Sequence, residues 1–152
     1  MDVNVEYIGI EPSKEDKVLI NDFISQLKKN YPLEDNLDIV FQNKRTGEMT
    51  TGSRTDKNKL KILVKDRLNR DVLRTLAHEW SHEYQRTVLK RKKGKNIGGK
   101  NENEASSQAS QEIKKFEKNN KDMEKVIYKS FSEQIEKIET LLEIESSKKE
   151  LL

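Results

Sequence analysis

The only two histidines of the chain, His78 and His82, lie four residues apart in the sequence HEWSH. Residues four apart share one face of an α-helix, so both imidazoles could reach one tetrahedral metal ion. The carboxylate of Glu79 would lie beside that ion without binding it, where it could accept a proton from water and pass it to a leaving amine. The spacing predicts zinc-dependent hydrolysis with His78 and His82 as ligands and Glu79 as the base. An accidental match is the alternative, since HExxH alone has many false positives.

A catalytic zinc ion needs a third protein ligand and an open position. The chain has no cysteine, so thiolate ligands are excluded and the third ligand is expected to be a carboxylate. The sequence NENEA at residues 101–105 begins a predicted helix about twenty residues after the histidines. From this helix we choose Glu104, because the small Ala105 would let it approach the histidine helix and Gln108 could brace it.

Other carboxylates remain candidates for this position. Glu102 lies near the start of the same predicted helix, and Glu112 lies two turns further along. Glu104 itself could instead be an acidic residue favoured by the dipole at a helix N-terminus.

The HEWSH sequence lies within a strongly periodic segment. Leu73, Ala77, Trp80 and Tyr84 recur at spacings of four, three and four, which predicts a helix over residues 69–91. Because Trp80 falls on this apolar stripe, a core position is favoured over contact with a substrate.

The remaining patterns predict an α+β fold, in which a small sheet packs on the HExxH helix and a glutamate helix. The expected elements are a helix over residues 14–29 behind a Ser13 cap, strands at Leu37–Gln42 and Leu60–Lys65, possible further pairing by Val3–Ile8, a polar turn at Lys44–Lys59, a helix at Asn101–Lys118 and a long helix at Lys121–Lys148.

The length of 152 residues fits one domain, with residues 1–120 as the catalytic unit and 121–152 as a helical extension. With 32% apolar and 38% charged residues, part of the chain is expected to form a solvated element. The apolar stripe of the last helix, which includes Ile127, Phe131 and Ile135, could form a homodimer seam, contact a partner or dock on its own core.

Charge and targeting patterns limit the classes of partner. The 30 basic and 27 acidic side chains are interspersed, which argues against a dedicated nucleic-acid binder. A basic run at residues 90–93, with Lys95 and Lys100, could contact phosphates or form a solvated helix end. The acidic N-terminus does not resemble a signal peptide, and no apolar run approaches membrane-spanning length. These patterns predict a cytoplasmic protein without a membrane segment.

The stretches TLAHEWSH at residues 75–82 and NEA at 103–105 resemble the gluzincins, and most closely their small bacterial and phage members of the ImmA/IrrE type. The resemblance covers residues 60–118 and implies a zinc peptidase with two histidine ligands and a glutamate from a following helix. It also implies that Leu60–Lys65 is an edge strand that aligns an extended substrate, with an ordinary strand that covers one helix as the alternative. Glu83 departs from the family pattern, because such motifs usually carry an uncharged residue at this position. A second departure is the segment after Ala105, where Ser106, Ser107 and Gln108 replace a more apolar continuation.

Two functions follow as hypotheses. The first is hydrolysis of peptide bonds in an intracellular protein, for which the resemblance suggests a regulator such as a repressor. The oxyanion of that reaction would need a donor from a backbone amide, Arg, Asn or Tyr, and Tyr7, Tyr31, Tyr84 and Tyr128 are equivalent candidates. The alternative is a noncatalytic module of phage or mobile-element origin that binds a protein or nucleic acid and carries its histidines incidentally.

Overall fold

A mixed sheet and a set of helices form the part of the chain that the computed structural model describes, namely residues 1–47, 49–55, 58–91 and 99–131. The elements in chain order are β1 (Val3–Ile8), α1 (Lys14–Asn30), β2 (Leu37–Gln42), β3 (Gly52–Thr55), β4 (Lys59–Leu63), α2 (Asn69–Thr87), α3 (Lys100–Asn119), a 3-10 turn (Lys121–Met123) and α4 (Glu124–Ile127). The mixed helix and strand content agrees with the predicted α+β class. None of the helices in these ranges is long and apolar enough to cross a membrane.

The four strands lie in the order β1-β2-β4-β3. Strands β1, β2 and β4 are mutually parallel, whereas β3 pairs antiparallel with β4. Strand β4 is therefore an inner strand and β3 is an edge strand. The expectation that Leu60–Lys65 forms the edge is wrong, because the polar segment before it, predicted as a turn, contains β3.

Helix α1 begins where the sequence predicts. The side chain of Ser13 accepts a hydrogen bond from the backbone N–H of Asp16 at 3.0 Å, which satisfies one of the free donors of the first turn. Leu19, Phe23 and Leu27 are fully buried at helical spacing and belong to the main core. The helix connects the parallel strands β1 and β2, as such a connection requires.

Helix α2 lies at the centre of the fold and contacts α1, α3, β3 and β4. Leu73, Leu76 and Ala77 on this helix are buried in the core. Trp80 is fully buried, and its indole N–H donates to the carbonyl of Tyr31 at 2.9 Å, so its predicted core position is confirmed.

The chain after α3 differs from the prediction. Instead of a continuous helix from Lys121, it forms a 3-10 turn and the single-turn helix α4, and Ser130 then bridges to Leu68. The N–H of Asn69 donates to Lys129 and that of Phe131 donates to Arg67, so pairing with the segment before α2 replaces helical hydrogen bonds. The rest of the predicted helix, and with it most of the proposed seam, lies outside the described residues.

Ile127 and Phe131 lie beyond the expected boundary at residue 120, yet both are 1% exposed and belong to the main core. The ring of Phe131 packs against those of Tyr7 and Phe41. Residues up to 131 therefore share one core with the sheet and helices that precede them.

Candidate metal centre

The two histidines of α2 converge as their spacing predicts. Their Nε2 atoms lie 3.2 Å apart, and the side chains of His78 and His82 are 21% and 20% exposed. Both rings are thus partly enclosed while their Nε2 atoms face a common point.

Glu102 of α3 faces the same point. One carboxylate oxygen lies 2.7 Å from Nε2 of His78 and the other 2.8 Å from Nε2 of His82. These three residues form a group whose ligand atoms all lie within 4.8 Å of one another. The described part of the chain therefore brings two imidazoles and one carboxylate together.

This donor set suits zinc. Ligand atoms placed tetrahedrally about 2.0–2.2 Å from a zinc ion lie about 3.3–3.6 Å from each other. The 3.2 Å between the imidazole nitrogens is close to that value, and the carboxylate oxygens lie nearer, at hydrogen-bond distance. Because a carboxylate oxygen only accepts, each Nε2 must present either a hydrogen or a metal ion to Glu102.

Glu104 does not share this site, which differs from the prediction. Its carboxylate pairs with the guanidinium of Arg91 and accepts a hydrogen bond from Gln108 at 3.3 Å. The brace from Gln108 is present as expected, but it holds a different contact. Positions 102 and 104 are about 200° apart around a helix, so only one of them can face the histidines.

Glu112 also lies elsewhere. It is 1% exposed and accepts hydrogen bonds from Gln26 at 2.7 Å and Asn30 at 2.9 Å, both on α1. Of the three carboxylates considered from the sequence, the structure brings Glu102 to the histidines.

Glu79 is half-buried next to His78 in the chain and lies against β3. Burial raises the pKa of its carboxyl, while the nearby charges of His78, His82 and Arg54 oppose that shift. A Cβ atom on Gly52 would lie 2.5 Å from Thr75 and 3.1 Å from Cγ of Glu79. A glycine at position 52 therefore lets the edge strand lie directly against the proposed base.

Glu83, the charged residue that departs from the family pattern, ties the same strand to α2. It is 2% exposed, and its carboxylate pairs with Arg54 of β3 at 3.3 Å and with Arg86 at 2.7 Å. Thr75, Glu79 and Glu83 are spaced by four along α2, so β3 follows this stripe with Gly52 and Arg54 facing it.

Each of the four tyrosines has a partner other than His78, His82 and Glu102. Tyr7 stacks on Phe41, Tyr31 packs edge-on against Tyr84, and Tyr128 donates to Glu117 at 3.3 Å. Arg54 of β3 lies near the proposed base, where its positive charge acts to lower the pKa of Glu79.

Three residues of this region were not identified from the sequence. Gly52 and Arg54 lie in a polar segment without strand periodicity, and Gln85 contacts the ring of His82. The glycine carried a usable signal, because close backbone approach is one reason for a glycine in a strand. Of the basic run, Arg91 pairs with Glu104, and residues 92–98 lie outside the described ranges.

Comparison of the chain with models of protein families, with curated proteins and with solved structures gives no match.

Proposed function

We propose that the protein is a zinc-dependent metallopeptidase in which His78, His82 and Glu102 hold the ion and Glu79 is the general base. The observation that carries this proposal is the convergence of two imidazole nitrogens and one carboxylate within hydrogen-bond distance, next to a second carboxylate that binds neither ring. The resemblance to gluzincins in the HEWSH segment supports the same ligand types.

Each residue has a defined task in this proposal. When bound, the zinc ion would supply Lewis acidity that polarises a carbonyl and acidifies a water molecule. Glu79 accepts the proton of the attacking water at its carboxylate and donates it to the leaving amine. Its half-buried position limits competing solvent contacts, and Gly52 leaves room for its side chain.

We further propose that the substrate is an extended segment of an intracellular protein. Strand β3 is at the sheet edge and lies against Glu79, which suits addition of a substrate strand beside the base. The resemblance to ImmA/IrrE-type enzymes makes a regulator such as a repressor the first substrate class to test.

The test combines metal content with hydrolysis. The untagged chain, purified without chelators, is expected to contain one zinc ion per molecule by elemental analysis. It should cleave an unfolded protein such as casein, with new termini identified by mass spectrometry. Glu79→Gln should retain zinc but lose at least about a hundredfold in rate, because an amide cannot accept the proton.

Equal activity in Glu79→Gln would remove Glu79 from this role. A folded parent chain that fails to bind added zinc would contradict the metallopeptidase proposal and favour the noncatalytic interaction module.

A further inference from the structure

A buried glutamine connects the two helices that carry the proposed ligands. Gln85, 3% exposed on α2, lies with its amide oxygen 3.0 Å from Nδ1 of His82. Its amide nitrogen donates to the backbone carbonyl of Asn101 at 3.0 Å. Because Asn101 directly precedes Glu102, one side chain contacts a histidine ligand and the backbone next to the carboxylate ligand.

These contacts determine where the proton of His82 lies. A carbonyl oxygen only accepts hydrogen bonds, so the amide group that faces Asn101 must be the NH₂ end of Gln85. The amide oxygen then faces the imidazole and also only accepts, so Nδ1 of His82 must carry the hydrogen. Nε2 of His82 faces a carboxylate oxygen of Glu102 at 2.8 Å, so it must present a second hydrogen to that oxygen or direct its lone pair at a bound metal ion.

A second contact supports the same junction. The backbone N–H of Arg91 donates to the carbonyl of Gln85 at 2.9 Å, and its guanidinium pairs with Glu104. Asn101 and Glu104 lie on either side of Glu102, and both are joined to the end of α2. The position of Glu102 relative to the histidines is therefore set by contacts between described residues.

We propose that Gln85 is a positioning residue of the metal centre, which fixes the Nδ1–H form of His82 and holds the first turn of α3 so that Glu102 reaches the ion. This inference rests on the proposed function, since it concerns the same zinc site. Residues that hydrogen-bond to a ligating histidine typically change metal affinity by tenfold to a hundredfold when removed.

The first test is zinc affinity, measured in competition with a chromophoric chelator. Gln85→Met removes both hydrogen bonds at similar volume and should weaken zinc binding about tenfold to a hundredfold. Gln85→Glu keeps an acceptor for Nδ1 but loses the donor to Asn101, so its affinity should lie between those of Gln85→Met and the parent. Gln111→Met, at an exposed glutamine of α3, is the matched control and should bind as the parent does.

The second test does not require metal. In ¹⁵N-labelled chain, a slowly exchanging proton on Nδ1 of His82 is expected in the parent and in Gln85→Glu, and rapid exchange is expected in Gln85→Met. Circular dichroism checks that each variant is folded, and Gln85→Glu remains informative if Gln85→Met unfolds.

The outcomes separate the two proposals. If the parent binds no zinc but shows the protected Nδ1 proton, the proposed function fails while the contact assigned to Gln85 stands. Zinc affinity in Gln85→Met equal to that of the parent, or a parent without a protected Nδ1 proton, would overturn the positioning role.

Discussion

Glu83 on α2, which faces β3, and Glu102 on α3, which faces the histidines of α2, have opposite surroundings. Glu83 is 2% exposed and pairs with two arginines. The side chain of Glu102 is 41% exposed and faces two imidazole nitrogens, and within the described ranges its ion-pair partners are those two histidines.

This difference indicates which acidic residue is free to bind a metal. A carboxylate neutralised by a guanidinium would have to give up charge-assisted hydrogen bonds before it could coordinate an ion. Glu104 illustrates the same point within one turn of α3, since its charge is matched by Arg91. The arginine partners thus distinguish structural carboxylates from the proposed ligand.

Replacement of single carboxylates on α3 by alanine should give the largest change in zinc affinity. Glu102→Ala leaves two imidazoles and should weaken zinc binding by more than about a hundredfold, because a three-ligand site becomes a two-ligand site. Glu104→Ala removes the partner of Arg91 and should weaken binding by no more than about tenfold. Glu112→Ala should lower stability without changing zinc affinity in the folded fraction. Zinc titration of the three variants under identical conditions measures these differences.

The opposite ranking, with Glu104→Ala free of metal and Glu102→Ala equal to the parent, would show that the holo protein uses the ligand first expected from the sequence.

A change in the edge strand β3 should lower kcat/KM and leave zinc affinity unchanged. Gly52→Ala places a Cβ atom 2.5 Å from Thr75 and 3.1 Å from Cγ of Glu79, so the base or the strand must move. A displacement of this kind should lower kcat/KM by about tenfold to a hundredfold with zinc affinity unchanged. Ser53→Ala changes the neighbouring residue, which points to the other sheet face, and serves as control. Activity in Gly52→Ala equal to that of the parent would show that β3 does not position the reacting groups.

The sequence identified the elements whose side chains follow a strong period. The apolar stripes of α1 and α2 and the alternation in β2 predicted these elements within a few residues of their observed bounds. Strand β3 was missed because its sequence, GSRT, buries no apolar side chain and is held by pairing with β4 and by the ion pair of Arg54 with Glu83.

Local sequence could not select the proposed third ligand for a related reason. His78 and His82 share one helix, so their separation follows from helical geometry. The choice between Glu102 and Glu104 depends on how α3 is rotated about its axis against α2. Long-range contacts such as Arg91 with Glu104 and Gln85 with Asn101 determine that rotation, and they join residues 13 and 16 positions apart in the chain.

Removal of the Glu83 charge should lower the free energy of unfolding. Glu83→Gln leaves Arg54, whose side chain is 11% exposed, without its carboxylate partner. The expected loss in the free energy of unfolding is about 3 kcal/mol, since one member of a buried pair is left uncompensated. Urea denaturation measures this loss, and zinc affinity of the folded chain should stay within about threefold of the parent because the Glu83 side chain pairs with arginines and not with the proposed ligands.

The exposed pair of Glu11 with Lys17 provides the control for that measurement, and Glu11→Gln should cost no more than about 0.5 kcal/mol. Equal losses in Glu11→Gln and Glu83→Gln would mean that burial of the Arg54 contact adds nothing to stability.

The smallest effect should come from deletion of residues 132–152. All proposed ligands, Glu79 and β3 precede this segment and have contacts among the described residues, so zinc affinity is expected to stay within about twofold of the parent. A deletion from residue 121 instead removes Phe131 and Ile127 from the core and the carbonyl of Lys129 that accepts from Asn69 at the start of α2. Loss of a buried Phe and a buried Ile typically costs several kcal/mol, so this shorter chain should unfold at much lower urea concentration.

Zinc titration and urea denaturation of the two deletions side by side test whether the folded unit ends near residue 131 or near residue 120. If the chain ending at 131 loses zinc while remaining folded, the last 21 residues contribute to the metal centre, and the contrast between Glu83 and Glu102 would not be sufficient to explain where the metal binds.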